Sequence, residues 1–375
     1  MTPREAYLVL IRTALWAPDA PLAEDCLAAL SEETLLQEVL RIAESQRTRG
    51  LVYDLLLRNC PQIPEDLAKQ MQQTLFQIAG ANGRLDANVG SLAARLQQTG
   101  FPFILLKGQA NARRYPVPTL RESGDIDVYI GPERFADAIQ TARTLADDPG
   151  QSALNGKHFC FRYQDSEVEF HKFALVPVRR RLRETYHLLE SSCLTQGTVP
   201  ISFGMVQVPA PEPSFNAFYL FAHAWHHFLT EGLGLRQLCD WALLLSRERT
   251  SIDRERLMTI LTSLDLLGPW RILGCIAVHD LGLPEGEFPF YDASAFDRSR
   301  KILHIIFQDG NFGTTRGYRK KERPDSLLRG KLFALWHRFL RFTEVLPLAP
   351  REALASFVAA IRNGTRAFIT NLSHR

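Results

Sequence analysis

Among its 375 residues the sequence has no CxxC pair. Its six cysteines, at positions 26, 60, 160, 193, 239 and 275, are scattered. That spacing excludes a zinc knuckle or a dithiol redox motif and reads as small buried hydrophobes in a reducing compartment. Long apolar runs are missing too. None approaches the ~20 residues needed to cross a bilayer, so no membrane insertion is expected. The opening stretch MTPREAYLVLIRTALW is broken by Arg4, Glu5 and Arg12, and no small-residue cleavage site follows. A secretory signal is therefore not expected, and the expected setting is the cytoplasm. There is little charge of either sign to spare: 44 basic against 41 acidic residues leave +3, too small an excess to imply a nucleic-acid partner by itself. No internal repeat is visible.

With 46% hydrophobic and 23% charged residues, the chain matches a folded globular protein and is too apolar for a disordered one. Its length allows two or three domains. Residues 1–100 read as helices: SEETLLQEVLRIAES carries apolar positions at helical spacing, with Ser31 as its expected N-cap, and a second helix spans about 65–98. Its glycines at 80, 83 and 90 allow close packing or a break. From 101 to 210 the pattern changes. FPFILL and DIDVYI read as strands, PERFADAIQTARTLA as an amphipathic helix, and HFCFRY–EVEFHKFAL as a hairpin turning at Gln164-Asp165-Ser166. A shorter pair around Val199–Val208 is expected to close the unit. Residues 211–375 return to helix. The expected fold class is therefore α+β, a small mixed sheet flanked by N- and C-terminal helical segments.

The chemistry concentrates in LLKGQANARRYPVPTLRESGDIDVYI. Asp125 and Asp127 lie two apart on a strand, so both carboxylates leave the same face. Side by side they repel, which calls for a raised pKa, a basic neighbour or a divalent cation. Glu167, Glu169 and His171 share one face of a second strand, and one of the glutamates could serve as a third carboxylate or as a general base. Lys107 and Gly108 end a strand and begin a short helix, where backbone N–H groups can approach a phosphate. Lys107 and Arg121 could neutralise a triphosphate.

The order strand–KG–helix–loop–RxSGDID–strand–helix–strand–ExH resembles the uncharacterised nucleotidyltransferase family, within the DNA polymerase β-like superfamily. The likeness is carried by Leu106-Lys107-Gly108, Arg121, Ser123-Gly124-Asp125-Ile126-Asp127 and Glu169-Phe170-His171. It continues into His223-Ala224-Trp225-His226-His227 and Leu235-Arg236-Gln237-Leu238-Cys239-Asp240, covering roughly residues 30–320. The resemblance implies transfer of a nucleoside monophosphate from an NTP, ATP among them, to an acceptor, with release of pyrophosphate. Asp125, Asp127 and Glu169 would hold two Mg²⁺ or Mn²⁺ ions, Glu169 as ligand or base. Lys107, Gly108, Arg121, Ser123 and Gly124 would bind the nucleotide, and His171, His223, Arg236 and Asp240 would line the cleft. The chain departs from the superfamily in carrying Gly108-Gln109 where Gly-Ser or Gly-Gly is usual. That removes a hydroxyl from the phosphate grip.

The acceptor stays open between a small molecule, a peptide or protein, and RNA. Two alternatives remain: a non-catalytic nucleotide- or partner-binding protein on the same fold, and a toxin-like enzyme modifying tRNA or protein. His223, His226 and His227 could bind zinc at helical spacing, but the helix lacks the accompanying glutamate and reads equally as core or cleft. Arg236 and Asp240, four apart, could pair with each other or face the cleft. Basic clusters stand at 179–183 and 316–331. Each reads as a solvated face or as a phosphate-binding surface. Gly310-Asn311-Phe312-Gly313 could close over the site or form a plain turn.

Overall fold

The computed structural model describes residues 1–148, 150–152, 156–315 and 327–373. The basic stretch at 316–326 falls outside them. Five helices come first: α1 (Pro3–Trp16), α2 (Glu24–Leu30), α3 (Glu33–Ser45), α4 (Arg49–Asn59) and α5 (Glu65–Thr99). The strand-bearing region follows with β1 (Ile104–Leu106), α6 (Gly108–Ala112), β2 (Ile126–Tyr129), α7 (Phe135–Leu145), β3 (Gln151–Ser152), β4 (His158–Tyr163), β5 (Ser166–His171), α8 (Arg183–Gln196), β6 (Thr198–Phe203) and β7 (Val206–Pro211). Then come α9 (Pro213–Thr230), α10 (Leu235–Arg247), α11 (Arg254–Ser263), α12 (Leu267–His279), α13 (Phe296–Asp309), α14 (Leu327–Val345) and α15 (Pro350–Ser373). The class is α+β, a small mixed sheet with flanking helices.

Local chemistry explains several element ends. Thr2 and Glu5 form a reciprocal capping box at the start of α1, with Pro3 in its first turn. The Glu212 carboxylate accepts from the backbone of Ser214 and Phe215 to cap α9. Ser31 does not cap α3. Its hydroxyl donates back to the Ala28 carbonyl, so it closes α2, and α3 begins at Glu33. Helix α5 runs unbroken through its glycines and ends at Gly100 in a left-handed conformation. At Gly90 an added Cβ would lie 3.2 Å from the Phe203 carbonyl, so this glycine serves close packing rather than a break. Only Ile104–Leu106 of FPFILL is strand, and α8 occupies a region where the sequence pattern announces no element.

The five-stranded sheet has the order β1-β2-β5-β4-β3. β1 is antiparallel to β2, β2 parallel to β5, and β5 antiparallel to β4. β6 and β7 form a separate two-stranded sheet instead of extending the first, while Phe203, Val208 and Ala210 share its core. Alternation splits the sheet's side chains. Ile126, Val128, Val168, Phe170, Phe159 and Phe161 enter one core with the second half of α5 and with α7. The intervening residues Asp127, Glu169, His171, His158 and Cys160 leave the opposite face. A larger core joins α1, α3, α4, α9, α10, α12 and α13. Helix α9 is apolar on nearly every side, as expected of a helix surrounded by others.

Candidate active site

The parallel pairing of β2 with β5 sets Asp127 directly beside Glu169, and the β1 pairing sets Leu106 opposite Asp127. Lys107, the next residue, therefore reaches the same spot from the end of β1. Its ammonium lies 3.0 Å from Asp127 Oδ1 and 3.1 Å from His223 Nε2 on α9. Lys107 adopts φ 48°, which is unfavourable for a side chain with a Cβ. Strain of this kind concentrates at functional sites. Gly108 follows at φ 37°, where an added Cβ would sit 3.5 Å from the Asp125 carbonyl.

The His171 imidazole Nε2 lies 2.7 Å from Asp127 Oδ1 and 3.3 Å from Glu169 Oε2, bridging the two carboxylates. Asp125 is exposed at the strand's entrance, whereas Asp127 is buried. Among the described residues, two groups bring three ligand atoms within 4.8 Å of one another: Asp125, Asp127 and Glu169, and His158, Glu169 and His171. Glu167 is exposed, lies beyond the register shared with β2 and belongs to neither group.

Electrostatics divide the carboxylates. Burial would raise the Asp127 pKa, but the Lys107 charge and the His171 hydrogen bond hold it well below the ordinary carboxylate range. Asp125 is pushed up, chiefly by the Asp127 charge. Glu169 is held low by its hydrogen bond from His171. Burial opposes the His171 imidazolium, yet the bonds to Asp127 and Glu169 raise its pKa. His223 goes the other way: burial, then the Lys107 ammonium, keep it neutral. The two remedies for paired carboxylates that need only the chain, a basic neighbour and a raised pKa, are thus both present.

Arg121 is buried and committed inside the protein. Its Nε and Nη2 donate to the two Asp240 oxygens at 2.7 and 2.6 Å, Tyr115 donates to the same carboxylate, and Nη1 reaches Ser123 Oγ at 2.9 Å. The sequence allows Asp240 to pair with Arg236. The structure gives Asp240 to Arg121 instead, because Arg121 approaches in a bidentate geometry from the loop above. Arg236 donates to the Glu122 carbonyl. Glu122 also takes the Arg49 guanidinium at 2.8 Å and the Arg49 backbone N–H at 2.7 Å. Asn82 donates to the Thr119 and Arg121 carbonyls. The loop bearing Ser123 and Gly124 is therefore held by α4, α5 and α10. The sequence pattern does not single out Arg49, Asn82, Tyr115 or Glu122, since their partners lie far away along the chain. His158 was within reach: a turn at Gln164-Asp165 sets it opposite His171.

His227 Nε2 lies 3.3 Å from His223 Nε2, and Phe312 packs edge-on against His227 at 5.0 Å. The Gly310–Gly313 turn is anchored through Phe312 N–H to the Gly232 carbonyl.

These observations define an α+β protein whose sheet carries a carboxylate cluster faced by a lysine and histidines. Residues 32–280, more than half of the chain, match the family described as uncharacterised nucleotidyltransferase, and the chain belongs to that family. Among curated proteins none matches. A nucleotidyltransferase-like antigenic protein from Paracoccidioides brasiliensis aligns at 15% identity and a TM-score of 0.34. The alignment covers 57% of this chain and 96% of that one.

Proposed function

We propose that the protein is a metal-dependent nucleotidyltransferase that moves a nucleoside monophosphate from an NTP to an acceptor hydroxyl or phosphate and releases pyrophosphate. The observation that carries this reading is the convergence of Asp125, Asp127 and Glu169 from two adjacent parallel strands. An all-oxygen donor set of this kind suits Mg²⁺ or Mn²⁺. One or two such ions, when bound, would offset charge on the reacting phosphates.

The chain's own groups have separable tasks. The Lys107 ammonium stands beside the carboxylates, where it can neutralise a nucleotide phosphate, and Gly108 allows the backbone to approach. Arg121 acts through Asp240 and Ser123: it positions the loop that carries Ser123, Gly124 and Asp125 rather than contacting the triphosphate. His171 orients Asp127 and Glu169 together. Glu169, held ionised, can accept the proton of an acceptor hydroxyl. Arg236 fixes the Glu122 carbonyl at the base of the same loop. His223 keeps Lys107 directed toward Asp127.

The parent protein is expected to bind a labelled NTP in the presence of Mg²⁺ or Mn²⁺, and the Asp127→Ala protein to lose that binding. Equal binding or transfer by the two would refute the assignment. Metal-dependent nucleotide binding without pyrophosphate release under any acceptor supplied would favour the non-catalytic alternative.

A further inference from the structure

Beside the carboxylate site lies a cleft of about 1290 Å³ between α8, α9 and the α14–α15 hairpin. Lys157, just before His158, and Phe173, two residues after His171, line it, as do His226 of α9 and Glu231 just after that helix. It thus adjoins the ends of β4 and β5 at which His158 and His171 stand, two residues beyond Glu169. The cleft is rich in cation. Arg180, Arg183, Arg338 and Arg362 all line it, and none of the four has a carboxylate partner among the described residues. The Nε atoms of Arg183 and Arg362 are buried without a hydrogen-bond partner. By contrast, neighbouring Arg341 is paired with Asp309 at 2.7 Å, and Arg179 with Asp265 at 2.9 Å. Four arginines gathered around one cavity without carboxylate partners of their own repel one another, and an anion relieves both the repulsion and the unmet N–H groups.

The rest of the wall is hydrocarbon: Val176, Val178, Leu229, Phe342, Val345 and Phe357. A polyanionic strand would leave that wall unsatisfied, and a free phosphate would leave it wet. The outer face of the same hairpin is apolar as well. Leu335, Trp336, Leu354 and Val358 are 45%, 58%, 56% and 54% exposed, with Arg329 and Arg351 exposed beside them. An exposed apolar face bordered by arginines, on the helices that also wall an anion-binding cavity, fits a surface that meets anionic lipid. No helix among the described residues is long and apolar enough to cross a membrane.

We propose that this cleft is the acceptor site and that the acceptor is a lipid phosphomonoester, its phosphate held by Arg180, Arg183, Arg338 and Arg362 and its hydrocarbon laid along the Val176–Phe357 wall. This rests on the nucleotidyltransferase reading above. In the reaction, an oxygen of the lipid phosphate attacks the α-phosphorus of the NTP. The bond from that phosphorus to the oxygen bridging to the β-phosphate breaks, and pyrophosphate leaves with the electron pair. The dianionic attacking phosphate has no proton to lose.

The test uses the full chain and decyl phosphate below its micelle concentration, followed by calorimetric titration and thermal unfolding. Decanol, inorganic phosphate and a short oligouridylate serve as comparison ligands. Decyl phosphate is expected to bind at least tenfold more tightly than each of these. Arg183→Ala/Arg362→Ala, and independently the surface substitution Arg338→Glu, are expected to weaken it tenfold or more while nucleotide binding persists. Asp127→Ala is expected to do the reverse, losing nucleotide and keeping decyl phosphate. Inorganic phosphate or oligouridylate binding as well as decyl phosphate overturns the proposal, as does decyl phosphate binding unchanged in both arginine variants. Loss of nucleotide binding by the parent protein would instead strike the nucleotidyltransferase reading.

Discussion

Asp127 is buried, and it stays ionised because Lys107 and His171 both point at one of its oxygens. Lys107→Met leaves a buried carboxylate beside Asp125 with only His171 to offset it. Removing one partner of such a pair costs about 3 kcal/mol. The sign of the pH dependence follows from the direction in which the pKa moves. A carboxylate whose folded pKa is depressed contributes stability that is present above its unfolded value of 3.8 and lost as pH falls through its lowered folded value. Lys107→Met is therefore expected to be less stable than the parent at neutral pH and to converge toward it in strong acid. Urea unfolding from pH 2 to 7 measures this. Mn²⁺ is expected to raise the melting temperature of the variant more than that of the parent, since no ammonium then competes for Asp127.

At the scale of elements, the loop between α6 and β2 depends on helices distant in sequence. Gly50 lets α4 approach so closely that an added Cβ would fall 1.9 Å from the Leu120 carbonyl. Asp240 on α10 is the anchor for Arg121 and Tyr115. Asp240→Ala leaves a buried guanidinium unpaired and is expected to cost about 3–5 kcal/mol. A double-mutant cycle with Arg121→Met, read by chemical denaturation, should show strong coupling between the two. Helix α8 carries a second testable group. Glu190 Oε1 accepts the Leu175 N–H at 2.6 Å, Oε2 has no partner, and burial pushes its pKa up to about 8. With a folded pKa above the unfolded 4.5, the folded state holds a proton that the unfolded state releases across this window. Stability is then full below about 4.5 and declines as pH rises toward 8. Glu190→Gln keeps the acceptor for Leu175 and removes the titration. It is expected to be more stable than the parent at pH 8 by a few kcal/mol, because a tenfold change in proton affinity is worth about 1.4 kcal/mol. At pH 4 it is expected to show no such advantage, and denaturation at the two pH values makes the comparison.

For the molecule as a whole, the strand-bearing region and the helices meet across the carboxylate face of the sheet, with α9 as the shared wall. The larger core is tied behind α9 by Phe221, Trp241, Trp270 and Phe288. The two indoles meet edge to face at 4.7 Å, and Trp241 Nε1 donates to the Ala217 carbonyl. Trp241→Ala is expected to cost about 3–5 kcal/mol by opening a cavity. Because α9 rests on this cluster, the loss should also loosen His223 from Lys107. A reduced nucleotide affinity in a still-folded variant, measured below its unfolding transition, checks that link.

Most of the elements and the candidate residues of the site are legible in the sequence alone. Period-two alternation in DIDVYI and EVEFHKF sets which side chains share a face, and turn residues at Gln164-Asp165 set the register that brings His158 opposite His171. Both are local properties of the backbone, so neighbouring residues suffice to read them. Which partner each charge takes is settled by packing. Arg121 turns inward to Asp240, Lys107 lies between Asp127 and His223, and Ser31 closes one helix rather than opening the next. Those choices depend on which carboxylate or carbonyl lies within about 3 Å once the chain has packed. Asp240 stands more than a hundred residues from Arg121, and His223 more than a hundred from Lys107. The arginines of the cleft show the same division. The run at 179–183 is plain in the sequence, but that Arg179 is paired while Arg180 and Arg183 remain without a carboxylate follows only from where α8, α14 and α15 come together.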